Sequence, residues 1–255
     1  MNFRIKAFGL HLLSSVLVLT LVFGGLYFGW YRWPGWYLCN ALKVAPILLL
    51  VDLTLGPLLT LLVANPLKYR RELARDIGVI VAVQLIALAY GTVTLWHGRP
   101  LYYAFSVDRL QIVQASDLKP AERARALAEN PALAPHWYSL PRWVWAPLPE
   151  AAEERQAIVM AAISGGADVI EMPRHFKPWA AGLAALRAQL SSLGQLRDVR
   201  LRQPKAQALL RQQMLARGLR PDQSVAIMMT GQGSPLLAVF DRGTLRLRAL
   251  LRSDR

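Results

Sequence analysis

One cysteine, Cys39, stands in 255 residues. A lone cysteine excludes an internal disulfide framework and any multi-cysteine metal site. Histidines number four, His11, His97, His136 and His175, and no two are spaced as HxxxH, so no zinc signature is present. Acidic residues are also sparse, 16 against 30 Lys and Arg, which leaves a formal net charge of +14. No GxSxG elbow and no Gly-rich loop followed by Lys-Ser/Thr occurs, and the turn Gly231-Gln232-Gly233-Ser234 reads as a hairpin connection between strands. No cofactor and no metal is expected, and no catalytic residue stands out.

What the chain has in abundance is long apolar runs. Three occupy residues 7–31, 44–64 and 77–96. At about 1.5 Å per residue each is long enough to cross a hydrocarbon layer of roughly 30 Å. The first follows a short basic start with Arg4 and Lys6, exceeds a signal-peptide core and is followed by no small-x-small cleavage pattern, so it reads as an uncleaved membrane helix. Trp30, Tyr31, Trp33, Trp36 and Tyr37 crowd its end, where indole and phenol rings favour the headgroup layer. The second run contains Pro46 and Pro57, each of which removes a backbone donor, with Asp52 between them. The third carries Gln84, Tyr90, Thr92 and Thr94 as its polar members.

Basic residues set the orientation. Lys68, Arg70, Arg71 and Arg75 lie between the second and third runs, against Arg32 and Lys43 between the first and second. By the positive-inside rule the N-terminus and the second loop are cytoplasmic, and everything after the third run lies across the membrane. The expected division is a three-helix transmembrane domain over 1–97 and one extracytoplasmic domain over 98–255. The basic excess of that second part suits lipid headgroups or acidic partners as well as it suits nucleic acid, and no nucleic-acid role is inferred.

The extracytoplasmic part opens with two β-rich runs, 101–107 and 110–115, around Asp108-Arg109, which predicts a hairpin. Ser116 and Asp117 then read as caps of a helix that has Pro120 in its first turn and runs to Glu129. Residues 130–149 hold five prolines and three tryptophans and read as an irregular segment able to dock on the membrane surface. Helices are expected over 150–163, 177–193 and 204–217, then a meander over 225–230, 236–241 and 244–250. Strands early, helices in the middle and strands late predict one α+β domain.

Asp52 is the sharpest single residue. A carboxyl in the bilayer core costs roughly 2.5–3.5 kcal/mol on insertion scales and therefore faces protein or water. Counting at 1.5 Å per residue puts Asp52 about 18 Å from the cytoplasmic end of its helix, Tyr90 and Thr20 at about 20 Å, and His11 at only about 6 Å. The count pairs Asp52 with Tyr90 or Thr20 and sets His11 aside. Either a proton, ion or partner contact or a neutral, hydrogen-bonded Asp fits this pattern. Gly25 and Gly29 form a GxxxG spacing, which allows a neighbouring helix to approach closely.

Together, KAFGLHLL (6–13), DLTLGPLLTLLVANPLK (52–68), DIGVIVAVQLIALAYG (76–91), RPLYYAFSVDRLQIVQASDL (99–118) and the later SPLLAVFDRGT (234–244) resemble the TfpX/TfpZ-type type IV pilin accessory proteins. The resemblance is continuous over residues 4–118 and looser beyond. It implies a multi-pass inner-membrane protein with a periplasmic C-terminal domain that assists type IV pilus biogenesis. It implies a chaperone-like or assembly-modulating action on pilin, without catalysis. Its implied partners are type IV pilin, membrane lipids and other pilus-assembly proteins. Two competitors stay open: a membrane-bound enzyme modifying pilin or lipid through Asp52 or an outer-domain acid, and a sensor, for which the short second loop offers no output domain.

Overall fold

A computed structural model describes residues 3–43, 45–196, 198 and 200–252. It divides into two compact units, Met1–Trp36 with Asn40–Arg99, and Tyr37–Cys39 with Pro100–Arg255. The fold is three long apolar N-terminal helices and an α/β domain built on a mixed sheet.

The membrane-length helices are Phe3–Tyr31, Ala45–Val63 and Arg70–His97. Position 44, where the second is expected to begin, lies outside the described residues. The third begins at Arg70, earlier than the apolar run alone suggests, because Arg, Glu and Leu are good helix formers and continue the turn into the basic cluster. Leu10, Leu21, Leu62 and Ile86 all face outward, more than 60% exposed. In water that would be a costly apolar surface, and in lipid it is the expected one.

Two of the helices are not α-helical throughout. The first ends in a π-helical stretch, Tyr27–Tyr31, whose last hydroxyl donates to the carbonyl of Leu95 at 2.7 Å. The second passes through a π-helical stretch at Val51–Leu55, immediately before Pro57. A proline has no N–H and its ring crowds the preceding turn, so the ladder widens where an ordinary α turn would not fit.

Among the described residues the domain's sheet has seven strands, β1 Pro100–Ser106, β2 Arg109–Gln114, β3 Arg142–Trp145, β4 Lys177–Pro178, β5 Ser224–Thr230, β6 Leu236–Asp241 and β7 Leu247–Arg252. Their order is β4-β3-β1-β2-β5-β6-β7. The hairpin β1–β2 and the meander β5–β6–β7 are antiparallel, as the alternation of apolar and turn residues predicts. The two halves join through a short parallel contact, Leu110 with Met229 and Gln111 with Thr230.

Each half has its own core. Tyr102, Ile158, Val169 and Phe176 belong to one, and Leu193, Leu210, Met214, Val239 and Leu251 to the other. The helices Pro120–Glu129, Ala152–Ile163 and Pro204–Leu215 match the expected ones closely.

Two expectations are corrected. The Trp/Pro segment 130–149 is not irregular throughout. Arg142–Trp145 pairs with β1 in parallel, a long-range partner that local propensity does not reveal. The helix expected over 177–193 is only Leu183–Gln189, because Lys177-Pro178 is taken by the sheet against β3 and Gly182 sits tight against the Trp145 ring.

The second unit also takes in Tyr37–Cys39 from the connection between the first two long helices. Leu38 is fully buried there, and its carbonyl accepts from the Gly233 N–H at 2.8 Å. A side chain at Gly233 would run into the backbone of Tyr37, which is why the turn GQGS needs glycine at that point. The Arg252 guanidinium lies 4.5 Å from the centre of the Tyr37 ring.

The β1–β2 turn holds Val107 at φ 47, with Ser106 and Arg109 paired on either side. The left-handed region is costly for a β-branched residue. Because Val107 is 55% exposed, little packing is lost on replacing it. Val107→Asn should stabilise the domain by about 1 kcal/mol, read as a higher thermal midpoint in detergent.

Candidate functional site

The candidate site lies wholly within the three-helix unit and starts from a backbone problem. In the π-helical turn the Gly56 N–H donates to the Val51 carbonyl, so it no longer serves the carbonyl of Asp52. In the same register that carbonyl would take the N–H of residue 57, which is proline. The Asp52 carbonyl is thus left without a partner on its own helix. The side-chain amide of Gln84, on the third long helix, donates to it at 3.2 Å and to Asp52 Oδ1 at 3.4 Å.

Gln84 is fixed from its other end. His11 Nε2 lies 2.7 Å from Gln84 Oε1, and His11 Nδ1 lies 2.6 Å from Thr60 Oγ1. An amide oxygen only accepts, so Nε2 carries a proton. The other ring nitrogen, Nδ1, shares its hydrogen bond with the Thr60 hydroxyl. Thr60, His11, Gln84 and Asp52 form one chain of hydrogen bonds that ties all three helices. Asp52 is 4% exposed, and its Oδ2 has no hydrogen-bond partner among the described residues.

Close approach of the helices depends on two glycines. A Cβ at Gly56 would overlap the Gln84 amide, and one at Gly91 would overlap Leu48. Gly25 and Gly29 instead have nothing within 4 Å of a built Cβ, so the GxxxG spacing is not where these helices meet.

The structure also re-pairs Asp52. Tyr90 is 76% exposed on the third helix. The Thr20 hydroxyl returns to the Val16 carbonyl at 2.7 Å, and Thr20 lines a separate apolar groove with Phe23, Leu49 and Leu53. Neither meets Asp52. His11, set aside as too shallow, reaches the carboxyl's neighbourhood through Gln84. Depth counting fails for two reasons. The third helix starts at Arg70, which puts Gln84 about 21 Å along it. A chain of side chains also crosses a depth difference that a direct contact cannot. The sequence carried a signal for this: Gln84 is the amide in the third apolar run, opposite a proline that frees a carbonyl.

A groove of about 320 Å³ opens at this cluster. One wall is the first helix from Ala7 to Leu19, the other the third helix from Ile77 to Leu88, and Asp52 and Thr60 lie between them. The lining is otherwise almost wholly apolar. Chemically the arrangement holds a buried carboxyl among three helices, with Gln84 donating to one oxygen and the other, itself sealed from solvent, without a partner among the described residues. It is poorly suited to conduct protons, because a carboxamide stands between the imidazole and the carboxyl.

In the domain, polar groups collect at a smaller pocket of about 180 Å³ lined by Gln111, Gln114, Asp117, Glu171 and Gln232. Burial pushes the Asp117 carboxyl above its ordinary range. Glu171 is raised by burial and then by the neighbouring charges of Asp117 and Asp168. Burial likewise pushes the Cys39 thiol up to about 12, so this cysteine is inert at neutral pH. Arg174 is nearly buried between Glu122 and Glu154, and His175 lies 3.3 Å from Glu154. These ion pairs tie the helices Pro120–Glu129 and Ala152–Ile163 to the 3-10 turn Pro173–His175.

Fold and groove define a multi-pass membrane protein with a built polar cluster among its helices and one α/β domain. Comparison with curated proteins finds the serogroup I fimbrial assembly protein of Dichelobacter nodosus, 29% identical over 196 residues, 76% of this chain and 74% of that protein. The serogroup E1 protein gives the same identity and coverage. The protein of serogroups C1 and C2 is 32% identical over 116 residues, 46% of this chain and 88% of its own length. The chain belongs to this family of fimbrial assembly proteins. No protein-family model and no solved structure matches it.

Gly56→Ala should lower the thermal midpoint in detergent by the equivalent of about 1–3 kcal/mol, because the new methyl must displace an amide held at both ends. Gly25→Ala, in open space, should leave it unchanged. For Glu171 the folded pKa lies above the unfolded one. Its stabilising share is therefore complete at acid pH and lost as pH rises through the folded value. Glu171→Gln should raise the domain's thermal midpoint at neutral pH and have no effect at acid pH, as followed by calorimetry of the full chain.

Proposed function

We propose that this protein is a non-enzymatic accessory of type IV pilus assembly that acts on pilin. The observation that carries the reading is the kinship with fimbrial assembly proteins over three quarters of the chain. The three helices stand in the inner membrane with the N-terminus cytoplasmic and the C-terminal domain periplasmic. The cluster of basic residues between the second and third helices supports this orientation. So does the inclusion of Tyr37–Cys39 in the same unit as Pro100–Arg255, since three crossings put both stretches on one side. In this role the membrane helices lie beside the apolar helix of a pilin, and the domain touches the pilin's globular part. Membrane lipids and other pilus-assembly proteins are the further partners.

The polar cluster supports a holding role over a catalytic one. Asp52 receives hydrogen bonds from an amide on a neighbouring helix, and no nucleophile or titratable partner touches its carboxyl among the described contacts. Deleting the protein should reduce pilus number, and the full chain purified in mild detergent should retain pilin. Unchanged pilus number on deletion, together with no pilin retained by the purified chain, would sink the reading. A pilin or lipid modification abolished by Asp52→Asn in a folded protein would replace it with the enzyme reading.

A further inference from the structure

The geometry points to the groove between the first and third helices as a receptor for one transmembrane helix of the partner, docked so that a hydrogen-bond donor on that helix meets the Asp52 carboxyl. This rests on the reading that the protein acts on a pilin held in the membrane, and it names the site and the chemistry of the contact.

Three observations carry it. The first is length. The groove wall on the first helix runs from Ala7 to Leu19, about 18 Å at 1.5 Å per residue, or some three helical turns. A compact ligand does not need that length, and a helix laid alongside does.

The second is chemistry. The walls are apolar side chains such as Leu10, Val18, Val81 and Leu85, with Ser14 and Ser15 leaving room beside them. Small residues let a neighbouring backbone come close, and the apolar walls suit leucine and valine knobs.

The third is the unsatisfied carboxyl. Asp52 is 96% buried and lines the groove; Gln84 donates to one of its oxygens, and the other, itself closed to solvent, has no partner among the described residues. An acyl chain filling the groove would leave that oxygen unpaired in hydrocarbon, where a polar group without a partner is strongly disfavoured. A helix carrying a hydroxyl, amide or amine at that depth satisfies it. The complementarity is specific: an apolar helix with a donor, matched to largely apolar walls with an unsatisfied carboxyl. The Thr60–His11–Gln84 chain holds the carboxyl in place before the guest arrives, so little ordering is left for binding to do.

The experiment uses the full chain in cells, with a photo-reactive residue placed at Ser15 or Leu85 inside the groove, or at Leu62 or Tyr90 on outward faces. Captured species are identified by mass spectrometry, in the parent and in Asp52→Leu and Asp52→Asn backgrounds. The expected result is capture of pilin from Ser15 and Leu85 and not from Leu62 or Tyr90. Capture should fall about tenfold or more in Asp52→Leu. It should fall in Asp52→Asn as well, because the single amide oxygen is held by Gln84 and an NH2 donor stands where the free oxygen was. Equal membrane levels and equal protease resistance of the variants exclude a folding defect.

Capture from the outward faces alone would leave the functional reading intact and overturn the groove. Groove capture of a second copy of this chain or of lipid alone would also overturn it, as would pilin capture indifferent to Asp52→Leu. Failure of the unmodified protein to retain any pilin would instead overturn the functional reading, and the groove proposal with it.

Discussion

A carbonyl without a donor, inside a hydrocarbon layer, is the constraint on which the membrane unit is built. Pro57 cannot serve the Asp52 carbonyl, and water is not there to do so. Gln84 supplies the missing donor from another helix. Much else follows from that one bond. Gly56 must lack a side chain so that the amide can enter. The amide must be turned the right way, so its oxygen is held by His11, and His11 is held by Thr60. In lipid, hydrophobic burial gives little reason for helices to associate, so packing against small residues and interhelical hydrogen bonds carry the load. Here both act at the same turn.

The domain solves a different problem, in water, by a different means. Its seven-stranded sheet is two smaller sheets with separate cores, joined by a short parallel contact. Segments far apart in sequence close each half. Arg142–Trp145 lies along β1, and Tyr37–Cys39 brings a fully buried Leu38 against the β5–β6 turn. The apolar effect dominates there, and polar groups such as Asp117 and Glu171 are tolerated at its margin with their ionisation disfavoured.

The polar cluster and the groove give the membrane helices a feature that simple anchoring does not require. An anchor needs length and apolarity, and these three helices have both. A buried carboxyl with one oxygen left over is a disadvantage for an anchor and an asset for a receptor. The kinship with fimbrial assembly proteins gives that asset a context.

Much of this was legible in the sequence, and for a plain reason. Membrane spans, strand hairpins and amphipathic helices are set by local composition and period, so the three long helices, the β1–β2 hairpin, the β5–β6–β7 meander and the prominence of Asp52 could all be read directly. The α+β character followed from the order of these elements. What the tertiary structure alone decided was which residues meet. Tyr90 and Thr20 matched Asp52 by depth and point elsewhere, Gly25 and Gly29 had the right spacing but face open space where a side chain would stand, and Gln84 and Gly56 proved to be the contacts. Rise per residue fixes depth along one helix. It fixes neither the rotation of that helix about its axis nor where the next one starts, and partner choice depends on both.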